Sequence, residues 1–104
     1  MPVLSLTAAP LTGRGAEEDA LGRLRHAVAG ALGLPDDGVV VTLVHSAPAA
    51  AEAWPLLVGY GRPRATQAMA AALDAARAVV AEAWSTTPDA VWAQWCPDVT
   101  GPPA

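Results

Sequence analysis

Two stretches of helical periodicity, each with a short apolar run on either side, constrain this chain more than any other feature. From Glu17 the residues Leu21, Leu24, Val28 and Leu32 recur at a spacing that lines one face of a helix. From Thr66 the residues Met69, Leu73, Ala76, Val80 and Trp84 do the same. The acidic trio Glu17, Glu18 and Asp19 suits a first helical turn, where the backbone dipole favours anions, and Gly33 with Pro35 supplies a stop. Thr66 is the expected N-cap of the second helix, and Ser85 to Asp89 turn the chain after it. The flanking runs read as strands. They are Val3 to Ala8, ended by the turn-prone stretch Pro10 to Gly15; the β-branched run Val39 to His45; Leu56 to Tyr60, ended by Gly and Pro; and Val91 to Cys96.

The order is strand, helix, strand, twice over. Sliding the chain along itself by 53 positions pairs Pro2 with Pro55, Leu4 with Leu57, Pro10 with Pro63, Pro35 with Pro88 and Asp36 with Asp89. Together with the repeated order of elements, these identities point to two related βαβ units. The expected fold is α/β: right-handed crossovers place both helices on one face of a four-stranded sheet, and another subunit covers the opposite face. A single domain over residues 1–104 is expected, with a Pro- and Gly-rich tail from about residue 97. Ser46 to Pro55 reads as a connection of about ten residues, long enough to shape a site.

Composition narrows the function classes. At 53% hydrophobic and 15% charged the chain is too apolar for general disorder, yet much of that content is Ala, so the core leans on Leu, Val and Trp. The net charge is −4 and every basic side chain is Arg, which leaves no basic stripe to follow a phosphate backbone. Nucleic acid is not an expected partner. Cys96 is the only cysteine and makes neither an internal disulfide nor a multi-Cys metal site. No secretory signal pattern opens the chain, so a cytoplasmic location is expected, and no apolar run approaches the roughly 20 residues of a membrane span.

Arg62 and Arg64 flank Pro63, where the third strand gives way to the second helix. Pro63 favours an extended backbone, in which side chains two apart point to the same side about 7 Å from each other. Two planar guanidinium forks can then converge on one carboxylate. Cations just ahead of a helix oppose its dipole, so a solvated role alone would be better served by acids there. The other reading, an ordinary surface pair, stays open at this point. Pro2 is the second feature. If Met1 is removed after translation, Pro2 offers a secondary amine, and burial with nearby positive charge would disfavour its protonated form. A neutral amine can act as a general base or attack a carbonyl. Against this stands the plain reading of Pro2 as a common second residue.

Pro2 ahead of a doubled βαβ chain, Arg-Pro-Arg at the end of the third strand, and Pro88-Asp89-x-Val91 before the last strand together resemble the tautomerase superfamily. The resemblance spans the chain to about Pro97. It implies small trimers or hexamers with an amino-terminal proline at a subunit interface acting as base, acid or nucleophile. GRPRATQ is similar to the malonate semialdehyde decarboxylase branch, which implies carboxylate binding by Arg62 and Arg64. VWAQW is similar to the branch of macrophage migration inhibitory factor, which implies that Trp92 and Gln94 line the pocket. Gly38 stands where the decarboxylase branch carries an acid, Leu34 where the inhibitory-factor branch carries a lysine, and Val40 where the oxalocrotonate branch carries a basic residue. A site with so few polar side chains suits proton transfer α to a carbonyl.

The expected function is a cofactor-independent tautomerase or isomerase acting on an oxo acid or related carbonyl compound, as a homotrimer, with no metal. A decarboxylase or hydratase of a small 3-oxo acid is the alternative among enzymes, and a non-catalytic ferredoxin-like or tautomerase-like binding or structural module the alternative outside them, since the ferredoxin-like fold shares the order of elements. Tyr60 and His45 are further candidates to contact substrate, each equally readable as an ordinary strand residue. Trp54, Trp84 and Trp95 read as packing or subunit-contact residues, His26 as helix surface, Cys96 as a strand residue, and Asp36 with Asp37 as turn residues.

Overall fold

The computed structural model describes residues 2–46 and 55–97; Met1, residues 47–54 with Trp54, and residues 98–104 lie outside the described residues. The elements in chain order are β1 (Val3–Ala8), α1 (Ala16–Leu32), β2 (Val40–His45), β3 (Leu56–Gly61), α2 (Thr66–Ala83) and β4 (Trp92–Pro97). A short 3-10 turn, Asp36–Gly38 or Pro88–Ala90, leads into each second strand. The sheet runs β2-β1-β3-β4, with β1 parallel to β2, β3 parallel to β4, and β1 antiparallel to β3 at the centre. Each unit therefore closes on itself before pairing with the other. The ferredoxin-like alternative falls here: its split βαβ unit sets another strand between the two parallel ones, whereas β1 and β2 are direct neighbours.

The repeat is real, and its register is finer than the sequence comparison suggests. The first strands match at a shift of 53, since Val3–Ala8 corresponds to Leu56–Gly61. The helices match at 52: buried Ala20, Leu24, Val28 and Ala29 of α1 correspond to buried Ala72, Ala76, Val80 and Ala81 of α2. Second strands also match at 52, because Val40–His45 corresponds to Trp92–Pro97. The link from first strand to helix is one residue shorter in the second half. Thr87, rather than Pro88, thus holds the place of Pro35, each extended just before its 3-10 turn. The Pro35/Pro88 and Asp36/Asp89 identities are one step out of structural register.

Strand alternation sorts the core. Leu4, Leu6 and Ala8 of β1 and Leu57 of β3 are buried with the inner faces of both helices in one cluster. Each fully buried Leu contributes roughly 1.5–3 kcal/mol through lost apolar exposure. Alanines on α2 let the helices approach closely, and Arg23 of α1 reaches Glu82 of α2 at 2.9 Å across their outer side. Trp84 donates from Nε1 to the Ala9 carbonyl at 2.7 Å, fastening the end of α2 to the end of β1. The opposite sheet face is uncovered. It carries Val40, Val44, Leu56, Tyr60 and Trp92, the five exposed large hydrophobic residues among those described.

Both helices end in the same way. Leu34 N–H donates to Ala29 O and Thr86 N–H to Ala81 O, both at 2.8 Å, around a left-handed residue. In α1 that residue is Gly33 at φ 69, but in α2 it is Ser85 at φ 53, where a Cβ is unfavourable. The start of α2 corrects another expectation. Ala65 occupies the cap position at φ −53 and ψ 135 and Thr66 is already helical, with no side-chain cap bond; the chain reaches this point after a bend at Arg62 rather than in the uninterrupted extended run that Pro63 suggested.

Gly59 and Gly61 lie on the inner face of β3 and leave a trough into which the Trp95 ring of β4 settles. A Cβ on Gly59 would stand 2.7 Å from Trp95 Cε3 and 3.2 Å from Leu4 Cδ2. Two stability changes are expected in denaturant unfolding. Ser85→Gly should raise stability by about 0.5–1 kcal/mol, the left-handed penalty removed less the extra chain entropy of Gly. Gly59→Ala should lower it by about 1–3 kcal/mol, since the indole has to move out of its trough.

Candidate active site

The β1/β3 ladder decides what stands beside Pro2. Val3 pairs with Tyr60, so Pro2 falls level with Gly61, and its Cα lies 3.5 Å from where a Gly61 Cβ would be. Pro2 is fully buried, and its carbonyl accepts from Val40 N–H at 3.0 Å. The chain leaving Gly61 runs directly into Arg62, Pro63 and Arg64. Arg62 is exposed, whereas Arg64 is half-buried and its Nε is enclosed without a hydrogen-bond partner. Trp95 closes the other side: its Cζ2 approaches the Gly61 Cβ position to 3.2 Å, and its Nε1 is also enclosed and unpartnered.

The fold builds an equivalent end at the far side of the sheet. There Pro55 is buried and its carbonyl accepts from Trp92 N–H at 3.0 Å, as Pro2 does from Val40. At the shifts found above, the counterparts of Arg62 and Arg64 are Ala9 and Leu11, those of Gly59 and Gly61 are Leu6 and Ala8, and that of Trp95 is Leu43. At these matched positions only the Pro2 end has guanidiniums and an indole; the Trp84 indole that reaches the other end comes from α2 and is bonded to the Ala9 carbonyl. The backbone geometry is shared; the donors are not.

The remaining sequence candidates separate by position. Tyr60 is level with Val3 but on the uncovered face, 48% exposed. Gln94 pairs with Val58, level with Ser5, roughly 10 Å along the strands from Pro2, and is also on that face. Trp92 is 59% exposed on it and pairs with Leu56, level with Thr7, roughly 16 Å away. The Trp92 and Gln94 side chains are thus apart from Pro2 of their own chain. His45 pairs with Ala8 at the far end and meets Glu17 Oε2 through Nε2 at 2.6 Å, tying β2 to the first turn of α1. Asp36 faces His26 Nδ1 at 3.0 and 3.1 Å through its two oxygens, on the solvent side. Among the described residues no group of three or more His, Cys, Asp or Glu is placed to hold a metal, and no helix is long and apolar enough to cross a membrane.

Trp95, expected as a packing or subunit-contact residue, packs against the core and fills the space over Gly59 and Gly61. The signal that pointed to it was the Gly-x-Gly of LLVGYG, two missing side chains on one strand face, which demand a large neighbour to fill the space.

No protein-family model and no curated protein matches the sequence. Solved structures do match its fold. A fused 4-OT wild type described as a symmetric trimer superposes with a TM-score of 0.81 at 20% identity, over 91% of this chain and 84% of that one. Pt0534, solved after inactivation by 2-oxo-3-pentynoate, gives 0.79 at 17%, over 98% and 91%. Malonate semialdehyde decarboxylase gives 0.78 at 16%, over 98% and 88%. At such identities the likeness speaks for architecture, and the chain has the double βαβ fold of these tautomerase-superfamily structures.

Proposed function

We propose that this chain is a cofactor-independent tautomerase or isomerase that moves a proton between carbon and oxygen of an oxo acid or related carbonyl compound, with the amine of Pro2 as the proton carrier. The observation that carries the reading is the asymmetry of the repeat: at matched positions of two equivalent strand ends, the one with the near-terminal proline has Arg62, Arg64 and Trp95 where the other has Ala9, Leu11 and Leu43. Removal of Met1 frees the ring nitrogen. Burial of Pro2 disfavours an ammonium there, which leaves a lone pair available as base. In the keto-to-enol direction the nitrogen takes a proton from the carbon α to the carbonyl, the C–H pair becomes the carbon–carbon double bond, the carbonyl π pair moves to oxygen, and the prolyl ammonium then gives its proton to that oxygen, completing the enol and restoring the free amine. Return of the proton to carbon reverses the step.

Arg62 and Arg64 grip the substrate carboxylate. The amino end of α2 supports this role. Its first turn holds no acidic residue and its cap makes no side-chain bond, whereas α1 opens with Glu17, Glu18 and Asp19. A helix N-terminus with two cations and no anion of its own is suited to an acid group from outside. Decarboxylation or hydration through a nearby carboxylate is less well supported, because Gly38 has none and Asp36 is turned to His26.

Assembly belongs to the same reading. The uncovered sheet face bears no Asp, Glu, Lys or Arg and is lined with large apolar residues. We take it to be covered by further copies in a homotrimer, where Trp92 and Gln94 of one copy, remote from their own Pro2, serve the next. A symmetric trimer is the form described for one of the similar structures.

Two measurements test the proposal. With phenylenolpyruvate as substrate, loss of the enol absorbance should be rapid for the wild type, slower by about 10²–10⁴-fold for Pro2→Ala, and limited mainly through a higher KM for Arg62→Ala. Equal rates in all three would defeat the enzymatic reading, as would an intact mass that retains Met1 in the active protein. Ala65→Asp should stabilise the free protein by about 0.5–2 kcal/mol in thermal unfolding by capping α2, and raise KM several-fold by placing a resident carboxylate where the substrate's belongs.

A further inference from the structure

Three buried side-chain atoms among the described residues have no hydrogen-bond partner: Ser46 Oγ, Arg64 Nε and Trp95 Nε1. Two of them are N–H donors at the Pro2 end of the sheet. An enclosed donor without an acceptor forfeits the hydrogen bond it would make with water, so native proteins rarely keep one without use. The indole N–H donates only, so what completes it is an acceptor oxygen.

The ring's placement narrows which acceptor. The indole spans the trough of Gly59 and Gly61, with Cε3 over Gly59 and Cζ2 over Gly61 beside Pro2. Since Cζ2 belongs to the edge of the bicycle that leads to Nε1, the nitrogen side of the ring lies toward the Pro2 end. Leu4 packs beneath, and the glycines admit the ring at a depth where a Cβ at 59 would displace it and one at 61 would crowd it by a few tenths of an ångström. The nitrogen is thus held by packing and is free of competing bonds.

We infer that the Trp95 indole N–H is a substrate-binding donor that hydrogen-bonds the oxo oxygen of a 2-oxo acid whose carboxylate is held by Arg62 and Arg64. The inference rests on the tautomerase reading and narrows its substrate to acids with the carbonyl adjacent to the carboxyl. In such a molecule the two acceptor groups are joined by one bond, so neighbouring donors can serve both. As the α proton leaves, charge builds on the oxo oxygen, and a fixed donor in an apolar wall stabilises it without giving up its own proton.

The test uses ¹⁵N-labelled full-length protein, titrated with phenylpyruvate or with 3-phenylpropionate, which keeps the carboxylate and ring but lacks the oxo group. Trp95→Phe identifies the Trp95 indole resonance. That resonance should move downfield with phenylpyruvate and stay in place with 3-phenylpropionate. Replacing the Trp95 side chain by 3-benzothienylalanine, which keeps the shape and removes the N–H, should weaken phenylpyruvate binding by about 3- to 10-fold, leave 3-phenylpropionate unchanged, and leave Tm unchanged or higher. Binding of both acids with an unmoved Trp95 resonance overturns the inference and spares the carboxylate grip of Arg62 and Arg64. So does a fall in Tm for the benzothienyl protein, since it would show the N–H already bonded within the protein. An oxo-dependent shift in a protein that fails to ketonise phenylenolpyruvate upholds the inference while defeating the catalytic reading. Failure to bind either acid sinks both.

Discussion

The antiparallel join between β1 and β3 is the constraint on which the rest depends. It is where the two βαβ units meet within the sheet, and its register pairs Ser5 with Val58 at the centre of an internal twofold relation. That register puts Leu4, Leu6 and Leu57 together under the helices, and it sets Pro2 level with Gly61, one residue before Arg62. A slip of one residue would turn the leucines of one strand outward and separate the proline from the chain that carries the guanidiniums. Stability of the core and composition of the candidate site are therefore selected by the same pairing.

A duplicated fold yields two of everything, and function is legible in what is not duplicated. The main-chain bonds from Val40 to Pro2 and from Trp92 to Pro55 are copies of each other, as are the buried faces of the helices and the closing turns after them. Departures cluster at one end. Leucine and alanine fill the inner face at 6, 8 and 43, whereas glycine, glycine and tryptophan stand at 59, 61 and 95. Aliphatic packing at those three positions leaves no polar group to satisfy, and the Trp84 indole at that end is bonded to the Ala9 carbonyl. At the second end, packing is achieved with a ring whose nitrogen has no partner, and Arg64 adds another enclosed donor. A purely structural repeat gains nothing from exchanging Leu43 for an unsatisfied indole, so the exchange is better explained by a molecule that supplies the acceptor.

Periodicity in the sequence was sufficient for the elements, because 3.6-residue and two-residue repeats are set by local geometry. It placed all four strands and both helices to within a residue or two. The ladder sets Trp92 and Gln94 on one face of β4 and Ala93 and Trp95 on the other. Three things were out of reach for physical reasons. A one-residue shift between strand and helix registers is absorbed in a loop, where no period marks it. The seat of Trp95 depends on glycines from another strand, a relation visible only once β3 and β4 are adjacent. Ser85 takes a left-handed turn that residue type argues against, held there by the Thr86 to Ala81 bond. The sequence linked Pro2 with Arg62 and Arg64 only through a resemblance; the β1/β3 register sets Pro2 level with Gly61, the residue before Arg62.

The uncovered face and the candidate site pose one problem between them. A secondary amine works as a base near neutral pH only where water is kept from stabilising its ammonium form, and within a single copy Pro2 is already fully buried on the helix side of the sheet. On the other side the sheet presents Tyr60 and Val40 to solvent. Both edges of the sheet offer matching recesses, Asp37 with Val39 to Val41 beside α1 and Asp89 with Val91 to Ala93 beside α2, so that what one edge presents the other repeats. Copies arranged head to tail would bring the β4 edge of one to the β2 edge of the next, beside Pro2, and a ring of three leaves no edge free. The exposed indole of Trp92 would then be buried against the sheet of a neighbouring copy. On this reading the same contacts that bury the apolar face also dry the site, and catalytic competence should appear and disappear with the trimer.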